Sequence, residues 1–75
     1  MRDLVEYIAK NLVDEPEKVK VTEREEPNAF VIEITVAPED MGKVIGKQGR
    51  IAKAIRTVVK AATVKESKKY IVEIV

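Results

Sequence analysis

The sequence Val44-Ile45-Gly46-Lys47-Gln48-Gly49-Arg50-Ile51, with Ile55 one helical turn later, lies near the middle of this 75-residue chain. Two apolar residues precede a pair of glycines, two polar residues separate the glycines, and a basic residue opens the stretch that follows. Glycine tolerates positive φ and lets a ligand approach the backbone without a Cβ in the way. The pattern predicts two helices joined by a tight polar loop over Gly46–Gly49.

This loop has the chemistry of an anion site. The first N–H groups of the following helix have no partner within the helix and lie at the positive end of its dipole, so they favour a negative charge. Full positive charges surround them, at Lys43, Lys47, Arg50 and Lys53. The alternative is a helical connection that needs its glycines only for backbone geometry.

Two other phosphate-binding loops are excluded by spacing. From Gly42 to Lys47 the sequence is one residue short of the nucleotide-binding P-loop, and Gln48 stands where a Ser or Thr would hold magnesium. The chain also has no Gly-x-Gly-x-x-Gly, so no dinucleotide site is indicated.

Outward from the loop, the spacing of apolar residues predicts the order α-β-β-α-α-β. Helical spacing covers residues 2–13, and strand-like alternation begins at Val19 and Val21. A turn at residues 25–28 separates this strand from a more apolar one, in which Phe30, Ile32, Ile34 and Val36 share one face. A short helix from Pro38 to the loop, a longer one from Arg50 to about Ala62, and a strand at Tyr70–Val75 complete the order.

This order predicts a single two-layer α+β domain over residues 1–75. The first two strands are close enough in sequence for an antiparallel hairpin, whereas two helices separate the second from the third and make that pair parallel. We expect a three-stranded mixed sheet in the order 1-2-3 with three helices on one face. The most apolar strand, the second, should be central.

Composition narrows the function. The chain has no Cys and no His, which excludes disulfide frameworks, zinc fingers, Cys nucleophiles and His-based catalysis. No apolar stretch approaches the ~20 residues of a membrane span, and the N-terminus has no signal-peptide core. We therefore expect a cytoplasmic, non-catalytic protein with no cofactor, no metal, no membrane contact and no small-molecule substrate.

The net charge of +1 hides an asymmetry between the two halves of the chain. Residues 1–40 carry five basic against eleven acidic side chains, and residues 41–75 carry nine against two. A basic half is a candidate surface for nucleic acid. A charge-rich surface of the thermophile kind is the other interpretation.

The loop and its flanks resemble the signature of KH domains, and the element order is that of the type II KH fold over nearly the whole chain. A free-standing domain of this length is similar to the small bacterial single-KH proteins of the KhpA (YlqC-like) family. The resemblance implies RNA binding, with a loop that clamps about four unpaired nucleotides. It also implies that Gly46, Lys47, Gln48 and Gly49 form the clamp, that Ile45, Ile51 and Ala54 line the groove floor, and that the protein associates with itself or with a larger KH-containing partner.

The remaining side chains give two further expectations. Phe30 is expected in the core, and Tyr7 and Tyr70 as partly buried packing residues, so no aromatic platform for stacked bases is predicted. The last helix has an apolar arc wider than a core contact needs. Its flank at Ala52 and Val59 is therefore a candidate surface for self-association, unless its alanines only favour the helix.

Three functions follow from these observations. The first is a non-catalytic protein that binds single-stranded RNA, and the second is a protein-interaction or dimerisation module with a vestigial loop. Single-stranded DNA binding, which fits the same groove, is the third.

Overall fold

The computed structural model describes residues 1–46 and 49–75, and the predicted order of elements is confirmed. The helices of this part of the chain are α1 (Arg2–Leu12), α2 (Pro38–Ile45) and α3 (Arg50–Ala62), and the strands are β1 (Lys20–Glu26), β2 (Ala29–Thr35) and β3 (Lys69–Ile74). A 3-10 turn at Pro16–Lys18 joins α1 to β1. The middle residues of the predicted loop, Lys47 and Gln48, lie outside the described residues.

The sheet has the predicted order β1-β2-β3, with β1 antiparallel and β3 parallel to the central β2. The hairpin turn is tighter than predicted, because Glu26 pairs with Ala29 and only Pro27 and Asn28 lie between them. β1 therefore continues to Glu26, beyond the alternating apolar residues Val19 and Val21 that predict where it begins. Its polar second half is held by pairing with β2 and by Arg24, which bonds to Glu33 at 2.7 Å.

The core lies on one side of the sheet. Alternate residues of a strand point to opposite faces, and the sheet residues in the core cluster all belong to one face: Val21, Ile32, Ile34 and Val72. The helices complete the cluster from the same side with Val5, Ala9, Val44, Ile55 and Val59. The expected two-layer α+β arrangement is confirmed.

A buried carboxylate fixes the position of α2. Asp40, in the first turn of α2, is 1% exposed and accepts hydrogen bonds from the backbone N–H groups of Asp14 (3.1 Å) and Glu15 (3.0 Å). Those two donors belong to the link between α1 and β1, so the carboxylate joins this link to α2. Because α2 leads directly into the loop, Asp40 also sets where the loop begins.

Two expectations about the aromatic residues were wrong. Phe30 is half-buried at the edge of the core and stacks on Tyr70, with ring centroids 4.9 Å apart and an interplanar angle of 26°. The parallel register places Phe30 directly beside Tyr70, a pairing that the separate stretches of sequence do not reveal. Tyr7 is 69% exposed and is not a packing residue, whereas Tyr70 is half-buried as expected.

The expected self-association flank of α3 was also wrong. Ala52 and Val59 are 5% and 2% exposed and belong to the interior, whereas Val58, which the helical spacing predicts within the core stripe, is 36% exposed. At 100° per residue, the buried stripe is rotated by about 60° from its expected centre. The cause is that α3 packs against the sheet through Ala52, Ile55 and Val59.

Candidate nucleic-acid interface

The first glycine of the loop is required by a close approach of the backbone. The Gly46 N–H donates to the Gly42 carbonyl at 2.7 Å, and a Cβ added at Gly46 would overlap that same oxygen. Its φ of −74° is open to any residue. Gly46 therefore ends α2 by packing its backbone directly on the preceding turn, and the expectation of an unusual dihedral does not apply to it.

The second glycine is required by its conformation. Gly49 has a φ of 68°, in the left-handed region, and a Cβ there would meet nothing within 4 Å. Residues with a Cβ rarely adopt this φ. Its N–H donates to the Gly46 carbonyl at 2.8 Å, so the two glycines are also linked to each other.

The N-terminus of α3, the helix that follows, has a positive electrostatic potential that no acidic side chain of its first turn offsets. Gly49 provides no side-chain cap, and the first turn of α3 has no acidic residue. Helix N-termini normally attract acidic side chains, because the unpaired N–H groups and the dipole favour negative charge there. Here the first helical residue is Arg50, which adds to the positive potential.

The rest of α3 continues this potential. The helix contains no acidic residue, and its basic side chains are Arg50, Lys53, Arg56 and Lys60. All four are exposed, and none forms an ion pair with any residue in 1–46 or 49–75.

Four of the five cations in residues 1–40 have partners, and Lys20 forms no ion pair with any described residue. Ion pairs engage Arg2, Lys10, Lys18 and Arg24, each with a neighbouring carboxylate. Within the described chain, α3 is therefore the helix on which cations without an ion-pair partner are concentrated.

Lys43 differs from the other predicted basic residues. Its Nζ lies 2.9 Å from Asp14 Oδ2 on the surface, and this hydrogen bond raises the pKa of the Lys43 ammonium. An exposed ion pair contributes only ~0–1 kcal/mol. Asp14 therefore competes weakly with any ligand for Lys43.

The residues predicted for the groove floor lie in different environments. Ile45, the last residue of α2, is 58% exposed, and Ala54 is exposed on α3. Ile51 is half-buried and packs against the core cluster. The loop brings Ile45 and Ile51 to the junction of α2 and α3, with Lys53 exposed nearby in the first turns of α3.

Sequence reasoning missed an open cleft between α3 and β3. It has a volume of about 690 Å³ and is lined by Arg56, Lys60, Thr63, Val64 and residues 66–72. None of the residues predicted for RNA binding lines it. The signal available in the sequence is the stretch Lys65-Glu66-Ser67-Lys68-Lys69, which carries three lysines between the last helix and the last strand.

Other kinds of site find no support in the part of the chain that the structure describes. No group of three or more acidic side chains there could hold a metal ion. None of the helices formed by residues 1–46 and 49–75 is long and apolar enough to cross a membrane.

Comparison with known proteins gives concordant matches. The sequence profile described as "KhpA/KhpB, KH domain" matches residues 2–74. The chain is 65% identical over 75 residues to a protein of Clostridium perfringens named RNA-binding protein KhpA, with all of both chains covered. It is 51% identical over 74 residues to the protein of that name from Aquifex aeolicus, which covers 99% of this chain and 94% of the relative.

One solved structure has a similar fold. The crystal structure of Era in complex with MgGDPNP and nucleotides 1506-1542 of 16S ribosomal RNA matches 99% of this chain, with a TM-score of 0.57 and 25% sequence identity. This chain spans 30% of the Era chain.

Proposed function

This chain belongs to the KhpA/KhpB family of KH domains, and from that premise we propose that it is an RNA-binding protein that holds a short single-stranded segment beside its glycine loop. The observation that carries the proposal is α3, which has four exposed basic residues, no acidic residue and an uncapped N-terminus at the loop. Relatives of this chain are named RNA-binding proteins.

In this proposal the loop binds the RNA backbone. A phosphate meets the unpaired N–H groups that open α3, and the two glycines leave the backbone accessible to it. Lys43, Arg50, Lys53 and the loop residue Lys47 supply positive charge for the phosphate, and the neutral amide of Gln48 supplies a hydrogen-bond donor. The bases contact Ile45, Ile51 and Ala54 beside the loop. Residues 1–75 act as one KH domain.

The protein takes no part in chemistry on its ligand. Binding requires only donors, positive charge and apolar contact, which the chain supplies, and no cofactor or small-molecule substrate enters the proposal. We place this function in the bacterial cytoplasm, where single-stranded RNA is available to it.

A loop variant tests the proposal. Replacing both Lys47 and Gln48 by Asp puts two carboxylates where the phosphate is proposed to bind, beside N–H groups that an Asp can itself occupy. We expect normal circular dichroism and loss of binding to a pool of short single-stranded RNAs on filters. Replacing Lys18 and Lys20 by Asp, two exposed positions near the start of β1, is the control. It lowers the net charge by four, against three for the loop variant, and should still retain more of the affinity. A folded loop variant with full affinity would place the RNA site elsewhere.

The same experiment separates the alternative functions. If the loop is vestigial and the fold serves protein association, the loop variant retains all partners, and a pull-down after ribonuclease treatment recovers them unchanged. Competition between RNA and DNA oligomers of matched sequence distinguishes RNA from single-stranded DNA as the ligand.

Self-association is retained as part of the proposal on a different surface. Leu4 and Tyr7 of α1 and Val58 of α3 are exposed on the helical layer, at 38%, 69% and 36%. Pairing two weak RNA sites would raise the overall affinity through effective concentration, whether the partner is a second copy or a larger KH-containing protein. Sedimentation of the parent protein and of a Val58→Asp variant tests the homodimer, and a parent protein that stays monomeric at high concentration would contradict it.

A further inference from the structure

We propose that the open face of the sheet binds an amphipathic helix of a partner protein, which lies along β3 and contributes a basic side chain. The surface consists of Ile71 and Glu73 of β3, Val75 directly after it, and Glu33 beside them on β2, and we call it the β3 strip. It lies on the side of the sheet away from the helices, so this inference is independent of the RNA binding proposed above.

The described helices leave one face of the sheet open. The core residues of the strands all point to the other side, where α1, α2 and α3 pack. Because side chains alternate along a strand, Ile71, Glu73 and Val75 point away from the helices. Ile71 and Val75 are 38% and 56% exposed, and Glu73 is exposed between them. Two apolar side chains therefore flank a carboxylate on an uncovered surface.

The part of this face that belongs to β1 and β2 is covered by the chain's own side chains. Val31, the neighbour of Ile71 on β2, is only 3% exposed. Its neighbour on β1 is Arg24. The Arg24 guanidinium bonds to Glu26 at 2.9 Å and to Glu33 at 2.7 Å, so this side chain lies over the β1 and β2 part of the face. The β3 side of the face stays exposed.

Two like charges lie side by side in the β3 strip. The parallel register places Glu33 directly beside Glu73, and neighbouring strands are about 4.8 Å apart, so the two carboxylates repel each other. Arg24 is shared between Glu33 and Glu26. Glu73 forms no ion pair with any residue in 1–46 or 49–75. A cation of a partner bound between Glu33 and Glu73 would offset this repulsion, whereas an anionic ligand would add to it.

The spacing of the β3 strip fits one face of an α-helix. Alternate residues of a strand are about 6.6 Å apart, and residues i and i+4 of a helix are about 6 Å apart. A helix lying along β3 can therefore place apolar side chains on Ile71 and Val75 and a Lys or Arg between them, on Glu73. An extended segment fits less well, because its backbone groups find no partners on the face of a sheet, whereas a helix pairs its own.

Methyl NMR with a synthetic helix tests the surface. The probe is a helical peptide of about 18 residues with Leu, Arg and Leu at positions i, i+4 and i+8 and with Ala and Gln elsewhere. We expect saturable shifts of the methyl resonances of Ile71, Val75 and Val31. The core residues Val5 and Ile55 should not respond. Because so small an interface binds weakly, the titration extends to millimolar peptide. A peptide with Glu in place of Arg should not bind.

Variants of Glu73 separate binding from stability. Glu73→Gln should weaken peptide binding by about two- to fivefold, the effect of losing an exposed ion pair, and should raise the melting temperature because the repulsion by Glu33 is removed. Glu23→Gln, an exposed carboxylate on the opposite face of the same sheet, is the matched control and should leave the peptide affinity unchanged. Glu73→Lys should bind the Glu form of the peptide and not the Arg form, a reversal that a role in folding alone would not produce.

The proposal fails if the peptide binds elsewhere or does not bind. Absence of saturable shifts in the β3 strip, or shifts confined to Leu4 and Val58 on the helical layer, would overturn it. Equal peptide affinities of the Glu73→Gln and Glu23→Gln variants would overturn the role of the carboxylate pair. Shifts of the Ile71 methyl groups on addition of single-stranded RNA alone would assign this face to nucleic acid instead. If the peptide binds as expected and RNA does not bind at all, only the function proposed for the loop is lost.

Discussion

Residues of the same type are needed in this domain for different physical reasons. Gly46 is needed because its backbone packs against Gly42, and Gly49 because its φ is positive. Asp40, one of two acidic residues in the first turn of α2, is the one that is buried and bonded to two backbone donors. The pair of glycines could be predicted from the sequence, but the role of Asp40 could not, since its donors lie 25 and 26 residues away.

Loss of the Asp40 carboxylate should destabilise the whole domain. In Asp40→Ala two part-buried N–H groups lose their acceptor, at up to about 1–3 kcal/mol for each unsatisfied donor. We expect the free energy of unfolding in urea to fall by about 2–4 kcal/mol, with Asp40→Asn intermediate because it keeps one acceptor oxygen. Glu39→Ala, an exposed carboxylate of the same turn, should change it by only some tenths of a kcal/mol. Equal effects at positions 39 and 40 would contradict this role of Asp40.

Release of Lys43 should strengthen RNA binding. Asp14→Asn removes the carboxylate that holds the Lys43 ammonium, and the free ammonium can then bind a phosphate; the gain should be at most a few-fold, since the exposed pair contributes ~0–1 kcal/mol. Glu6→Gln is the matched control, because it frees Lys10 on α1 with the same change in net charge. RNA affinities measured at low salt decide the matter, and equal gains for both variants would remove Lys43 from the interface.

At the scale of elements, α3 combines the core and the interface on opposite faces. Its ends, Arg50 and Ala62, were predicted from the sequence because a glycine precedes the helix and the apolar spacing stops after it. The direction of its buried face was not, because an apolar arc of about 180° contains several stripes that could each face a core. Only packing against the sheet selects Ala52, Ile55 and Val59.

Charged substitutions on α3 should distinguish its buried face from its exposed face by their effect on stability. Val59→Asp places an unpaired carboxylate in the core, at a cost of several kcal/mol, and a 75-residue domain has only about 4–11 kcal/mol of stability in total. We expect loss of the helical circular dichroism signal or a large fall in the melting temperature. Val58→Asp, one residue away and 36% exposed, should keep the fold. A folded, soluble Val59→Asp variant would mean that the helix is rotated from the orientation described.

At the scale of the whole molecule, the acidic first half and the basic second half of the sequence occupy different regions of the fold. The first forty residues form α1, β1, β2 and the first turn of α2, and the remainder forms the rest of α2, α3 and β3. Because the sheet order is β1-β2-β3, with α1 packed on β1 and α3 on β3, the acidic and basic halves lie side by side. The sequence therefore predicted the asymmetry and the fold, whereas the α3–β3 cleft required the register that pairs Phe30 with Tyr70.

This separation predicts a steep dependence of RNA affinity on salt. Each phosphate neutralised on a single strand contributes about 0.7 to the slope of log affinity against log salt, so two to four contacts give about 1.4–2.8. A lone domain with so few contacts should bind at about micromolar affinity or weaker. Lys53→Gln removes one proposed contact and should lower the slope by about 0.7, whereas Lys20→Gln, on the acidic half, should leave it unchanged. Titrations from low to high salt measure both slopes. If affinity does not change with salt, the basic face of α3 does not hold the phosphates and the electrostatic basis of the proposed site is wrong.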